Sequence, residues 1–102
     1  GAFSPSEIYK AWSMGGSMIK IFPASIVGPA YITELKGPLN QIKLLPTGGV
    51  TLDNIESFQK AGSDGFGIGS QLFNKTLIKE KNWEGLKAHF QKFVKKVNHN
   101  AE

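Results

Sequence analysis

Met18-Ile19-Lys20-Ile21-Phe22-Pro23 and Ile42-Lys43-Leu44-Leu45-Pro46-Thr47-Gly48-Gly49 decide how this chain folds. Each is a short, mostly apolar run that stops at a proline or at glycines, which is how a buried strand reads. Helical stretches separate and flank them. Gly28-Pro29 opens one that carries Ile32 and Leu35 and closes at Gly37-Pro38. Thr51 caps the next, with Val50 and Ile55 as a hydrophobic staple, Ile55 and Phe58 facing inward and Gly62 at its end. Upstream, Ser4-Pro5-Ser6-Glu7 combines an N-cap, a first-turn proline and a capping-box glutamate. Ile8, Ala11 and Trp12 share that helix's apolar face, and Gly15-Gly16 stops it. Downstream, Gly65-Phe66-Gly67-Ile68-Gly69 reads as a glycine-spaced strand, followed by Ser70 and a short loop or helical turn. Asn82 then caps a long amphipathic helix whose stripe is Trp83, Leu86, Phe90, Phe93, Val94 and Val97, expected to face the core. Met14, Met18 and Trp12 are also expected to pack.

Strands alternating with helices imply parallel pairing through crossover connections. The pattern holds three strands and four helices, and Gly1-Ala2-Phe3 reads as the end of another strand, so about four βα units are present where a closed barrel needs about 200 residues or more. The expected fold is α/β: half of a (β/α)8 TIM barrel, forming a single domain over residues 1–102. The chain opens on Gly1 rather than Met, and a cut or processed start is expected. Open strand edges and uncovered apolar surface are expected to make such a half associate.

At 40% hydrophobic and 20% charged residues, the composition is that of an ordinary globular domain. The absence of cysteine excludes a disulfide scaffold and any thiolate nucleophile or metal ligand, and fits a reducing, cytoplasmic setting. No apolar run approaches the ~20 residues of a membrane helix, and no membrane partner is expected. All twelve basic residues are lysines, and the net charge of +4 gathers in the last third of the chain. Nucleic-acid readers lean on arginine for two-pronged contacts, so this basic stretch reads as a solvated helix face and no nucleic-acid partner is expected.

Lys20 stands out as the one charge inside an apolar strand. Burial between Ile19 and Ile21 would favour the neutral amine, the form that attacks carbonyls in Schiff-base enzymes. Two glycine-bearing loops follow consecutive strands: Thr47-Gly48-Gly49 and Gly69-Ser70. Bare backbone N–H groups beside a helix start attract phosphate, and the loops after the last two strands of such barrels commonly form a phosphate site. Gly65-x-Gly67-x-Gly69 does not match the dinucleotide fingerprint. His89 and His99 lack ligand spacing and are expected to be exposed, Asp64 precedes a strand, Glu102 is terminal, and the remaining acids read as caps or solvated faces. No metal site is expected.

Gly1-Ala2-Phe3-Ser4-Pro5-Ser6-Glu7-Ile8, Ile19-Lys20-Ile21-Phe22-Pro23-Ala24, Leu45-Pro46-Thr47-Gly48-Gly49-Val50 and Gly67-Ile68-Gly69-Ser70 together resemble the C-terminal half of the 2-keto-3-deoxy-6-phosphogluconate and 4-hydroxy-2-oxoglutarate aldolase family. The resemblance runs from Gly1 to about Val97. It implies a class I, metal-independent aldolase without cofactor on a (β/α)8 barrel, usually trimeric, acting on a phosphorylated keto acid. Lys20 matches the Schiff-base lysine, Phe22 an aromatic beside the pyruvate part, and Thr47 a residue lining the site. Gly48, Gly49, Gly69 and Ser70 match positions that hold the phosphate. The family's general acid/base glutamate belongs to an N-terminal half that this sequence does not contain, and a substrate-binding arginine is absent too. The expected function is therefore cleavage of 2-keto-3-deoxy-6-phosphogluconate to pyruvate and glyceraldehyde 3-phosphate, weak or absent in this chain by itself. The expected partner is a further copy or the missing half. The alternatives are a non-catalytic half-barrel that binds phosphate or assists assembly and, ranked below it, a different phosphosugar barrel.

Overall fold

The computed structural model describes the backbone of residues 1–101 and the side chains of residues 1–97; the expectations for His99 and Glu102 lie outside the described side chains. The fold is α/β with parallel strands. In chain order it comprises α1 (Pro5–Ser13), β1 (Ile19–Ile21), α2 (Ala24–Lys36), β2 (Leu44–Pro46), α3 (Ile55–Lys60), α4 (Lys75–Lys79) and α5 (Trp83–Ala101). β1 and β2 pair in parallel with Lys20 opposite Leu45. Single parallel bridges extend the sheet on both sides, Ala2 to Ile21 and Thr47 to Gly67. The spatial order is thus the Ala2 segment, β1, β2 and the Gly67 segment.

Local chemistry explains where the helices begin. Ser4 Oγ accepts the Glu7 N–H while Glu7 Oε1 accepts the Ser4 N–H at 2.9 Å, closing the capping box at α1. Asn82 Oδ1 accepts the Gly85 N–H at 3.0 Å and starts α5. Thr51 and Asn54 cap reciprocally: Thr51 Oγ1 accepts the Asn54 N–H and Asn54 Oδ1 accepts the Thr51 N–H at 2.7 Å. They enclose a turn, so the regular part of α3 starts at Ile55 rather than directly after Thr51. The helix expected to open at Gly28-Pro29 begins a turn earlier, at Ala24, and is kinked at Gly28, whose φ of 77° only glycine adopts freely.

The core lies between the helices and one face of the sheet. Ile19, Ile21 and Leu44 alternate inward, and Ile8, Ile32, Leu35, Ile42, Val50, Ile55, Phe58 and Phe93 surround them, all buried. One ion pair braces the layers: Lys36 Nζ lies 2.7 Å from Asp64 Oδ2 and 2.8 Å from the Ile42 carbonyl, and Asp64 Oδ2 also accepts the Leu44 N–H.

The segment 65–69 is not a strand. It makes one bridge at Gly67 and backbone bonds from Asp64 to Leu44 and from Gly67 to Pro46. Glycines supply no side chains to stiffen it, and no segment among those described pairs with its outer edge. A Cβ at Gly67 would collide with the Thr47 side chain, so glycine is what permits even this close pairing. The α5 stripe is narrower than expected. Phe93 is buried and Leu86, Phe90 and Val97 are half-buried, but Trp83 and Val94 are more than half exposed. Met14 and Met18 are exposed as well, whereas Trp12 packs on the core and stacks obliquely on Tyr9.

Candidate active site

The C-terminal ends of β1, β2 and the Gly67 segment converge on a cavity of about 210 Å³. Phe22, Thr47, Gly48, Gly49, Gly69 and Ser70 line it. Six of the seven residues singled out in the sequence therefore share one wall-to-wall space, although they come from three separate segments.

The first loop is shaped by what its carbonyls do. The Thr47 carbonyl accepts the Ala24 N–H at 2.8 Å and the Gly48 carbonyl accepts the Ser25 N–H at 2.9 Å, both from the first turn of α2. The Gly49 carbonyl accepts Asn54 Nδ2 at 2.8 Å. With three successive carbonyls anchored, the N–H groups of Gly48 and Gly49 are left without a protein acceptor among the described residues. Positive φ values of 90° and 81° permit this turn, and a Cβ at Gly49 would strike Ser25. The second loop repeats the arrangement: the Gly69 carbonyl takes the Leu72 and Phe73 N–H groups, while those of Ser70 and Gln71 have no protein acceptor among the described residues. Two sets of free donors thus border one cavity, the arrangement that suits an anion.

Lys20 is not buried. Its neighbours Ile19 and Ile21 are, but strand alternation sends Lys20 to the opposite face, which no second layer covers among the described residues. The expectation of a desolvated amine fails for that reason. Lys20 Nζ lies 5.2 Å from the centroid of the Phe22 ring, within cation–π range. The Phe22 ring in turn packs against Gly48, where an added Cβ would stand 3.0 Å from it. One aromatic ring therefore connects the amine to the Gly48-Gly49 turn, although Lys20 does not itself line the cavity.

Among the described residues, no carboxylate lines this cavity. Glu7 is committed to the α1 cap, and its hydrogen bonds to the Ser4 and Phe3 N–H groups and the Ser4 hydroxyl hold its carboxyl below the usual range. Burial would raise the Asp64 carboxyl, but the hydrogen bond from Lys36, the Leu44 N–H and the charges of Lys36 and Lys43 outweigh it and hold it low. Among the described residues no three of His, Asp and Glu gather as a metal-binding group. Ser25 and Asn54, which shape the first loop, carried no pattern in the sequence, because a side chain or amide that holds one carbonyl leaves no periodic trace.

Comparison with known proteins agrees with this architecture. A family model described as KDPG and KHG aldolase matches residues 1–89. The chain is 39% identical over 74 residues to 2-dehydro-3-deoxy-6-phosphogalactonate aldolase of Escherichia coli (strain K12), covering 72% of this chain and 36% of that protein. It is 36% identical over 85 residues to 2-dehydro-3-deoxy-phosphogluconate aldolase of Haemophilus influenzae, covering 82% of this chain and 40% of that protein. A solved structure described as "Native KDPGal structure" superposes with a TM-score of 0.78 at 32% identity, over 96% of this chain and 48% of that one. The chain spans less than half the length of these relatives. Free-donor loops on consecutive parallel segments, a strand lysine beside them and a family match across residues 1–89 lead to one conclusion: the chain belongs to the KDPG and KHG aldolase family.

Proposed function

We propose that the chain is the C-terminal half of a (β/α)8 barrel and carries the nucleophile and the phosphate grip of a class I aldolase. The substrate is a 2-keto-3-deoxy-6-phospho sugar acid, with 2-keto-3-deoxy-6-phosphogluconate as the first to test. The observation that carries the reading is the single cavity ringed by unpartnered N–H groups of Gly48, Gly49 and Ser70, joined to Lys20 through Phe22.

In this reading Lys20 Nζ gives a proton to solvent and its amine adds to the C2 carbonyl; the proton returns as water leaves, giving an iminium. The C3–C4 bond then breaks, its electron pair moving into the iminium. The C4 hydroxyl loses its proton and becomes the aldehyde of glyceraldehyde 3-phosphate. The resulting enamine takes a proton at C3, and hydrolysis frees pyruvate and Lys20. Phe22 walls the pyruvate portion, Thr47 lines the space between the two ends, and Gly48, Gly49, Gly69 and Ser70 hold the phosphate. The electron sink is organic and the scheme uses no metal. A cytoplasmic setting and a homo-oligomer, or pairing with an N-terminal half, complete it.

Because no carboxylate among the described residues lines the cavity, proton transfer to and from the C4 oxygen is left to water in this reading. Positioned general acid–base catalysis is worth about 10²–10⁴-fold, so the 102-residue chain should cleave the substrate that much more slowly than a complete aldolase. Pyruvate release, coupled to lactate dehydrogenase, is expected to be slow, insensitive to EDTA and abolished by Lys20→Arg. Release that is unchanged in Lys20→Arg contradicts the mechanism. The missing carboxylate also favours a second reading, a non-catalytic phosphate-binding half-barrel; phosphate binding with no Lys20-dependent pyruvate release at any rate selects it.

A further inference from the structure

The two donor loops are held in place unequally. Every carbonyl of Thr47-Gly48-Gly49 is anchored by neighbours close by, in α2 and at Asn54. The second loop has less local support. It follows a glycine-rich segment with a single bridge, and beyond its chain neighbours nothing among the described residues lies within 4 Å of where a Gly69 side chain would start. What grips it comes from far along the chain. His89 on α5 is half-buried rather than exposed, and its Nε2 stands 2.6 Å from the Gln71 carbonyl. The imidazole is set edge-on against the ring of Phe93, centroids 5.4 Å apart, and Phe93 is itself buried. The adjacent Phe90 meets Phe73 edge-on at 5.5 Å. Two consecutive residues of α5 thereby clamp the loop on either side of Leu72.

We propose that His89 is a positioning residue for phosphate recognition. Its Nε2–H donates to the Gln71 carbonyl and fixes the peptide that follows the free Ser70 and Gln71 N–H groups, the counterpart of what Asn54 does for Gly49. The inference rests on the phosphate-grip reading above and adds to it a residue outside the cavity. His89 touches neither the phosphate nor Lys20, so its loss should weaken the grip on the phosphate and leave attack on pyruvate, which has no phosphate, unchanged.

The test titrates inorganic phosphate into the 15N-labelled 102-residue chain and follows the Gly48, Gly49, Ser70 and Gln71 amides. In the wild type all four should shift. In His89→Leu the dissociation constant should rise about fivefold, the worth of one net hydrogen bond. His89→Gln, which keeps a donor, should recover most of the loss. Borohydride trapping of pyruvate should be equal in all three. Equal phosphate affinity in wild type and His89→Leu overturns the role of His89 while leaving the phosphate grip standing. No amide shift in the wild type removes the grip and this inference with it. A direct reading in the unmutated chain decides the matter if His89→Leu does not fold: ring 15N shifts must show the neutral imidazole protonated at Nε2, and protonation at Nδ1 overturns the proposal.

Discussion

The two faces of the β1–β2 pair could hardly differ more. One presents Ile19, Ile21 and Leu44 to the helices and is fully buried. The other presents Lys20 and Leu45, paired across the strands, and is open enough that Lys20 is exposed and Phe22 is half exposed. Alternation with a period of two makes this separation possible: residues one step apart point to opposite faces. The lysines show the same division. Lys36 is tied to Asp64 and to the Ile42 carbonyl and braces the layers, whereas the Lys20 amine lies over the Phe22 ring.

Substitutions should separate the faces by size of effect. Ile21→Ala, on the covered face, should cost about 2–5 kcal/mol in urea unfolding, whereas Leu45→Ala on the open face should cost well under half as much. Equal losses would mean that the open face is as packed as the other. Asp64→Asn removes the partner of Lys36 from a site that is partly solvent-exposed, so screening trims its worth to about 1–2 kcal/mol. The sign with pH follows from the lowered carboxyl. Its contribution is complete above the ordinary aspartate value of about 4 and fades as pH falls through the depressed folded value. Wild type and Asp64→Asn should therefore converge in stability in strong acid, and a gap that persists there would contradict the ion-pair account. Ser4→Ala, which opens the α1 capping box, should cost only about 1 kcal/mol in urea unfolding.

Much of this arrangement was legible in the chain itself. Ser4 with Glu7 and Asn82 cap as their chemistry requires, and Thr51 caps the turn that leads into α3. Thr47, Gly48, Gly49, Gly69 and Ser70 meet in one cavity because each directly follows a parallel segment. Lys20 was legible as the odd charge in its strand but not in its exposure. Its apolar neighbours speak for the opposite face, and whether a strand's second face is covered depends on segments distant in sequence. The same ignorance of what lies opposite explains Trp83 and Val94, apolar by period yet exposed. Asn54 and His89 could not be singled out at all, since each acts by a single hydrogen bond to a carbonyl whose position only the folded chain defines.

The family membership follows from the fold and the match, but the chemistry rests on one amine among twelve lysines. Adding pyruvate and borohydride to the chain, digesting it and locating the added mass tests that directly. The account predicts a reduced pyruvate adduct on Lys20 that disappears in Lys20→Arg. An adduct scattered over the lysines of α5 according to exposure, or none on Lys20, would contradict it.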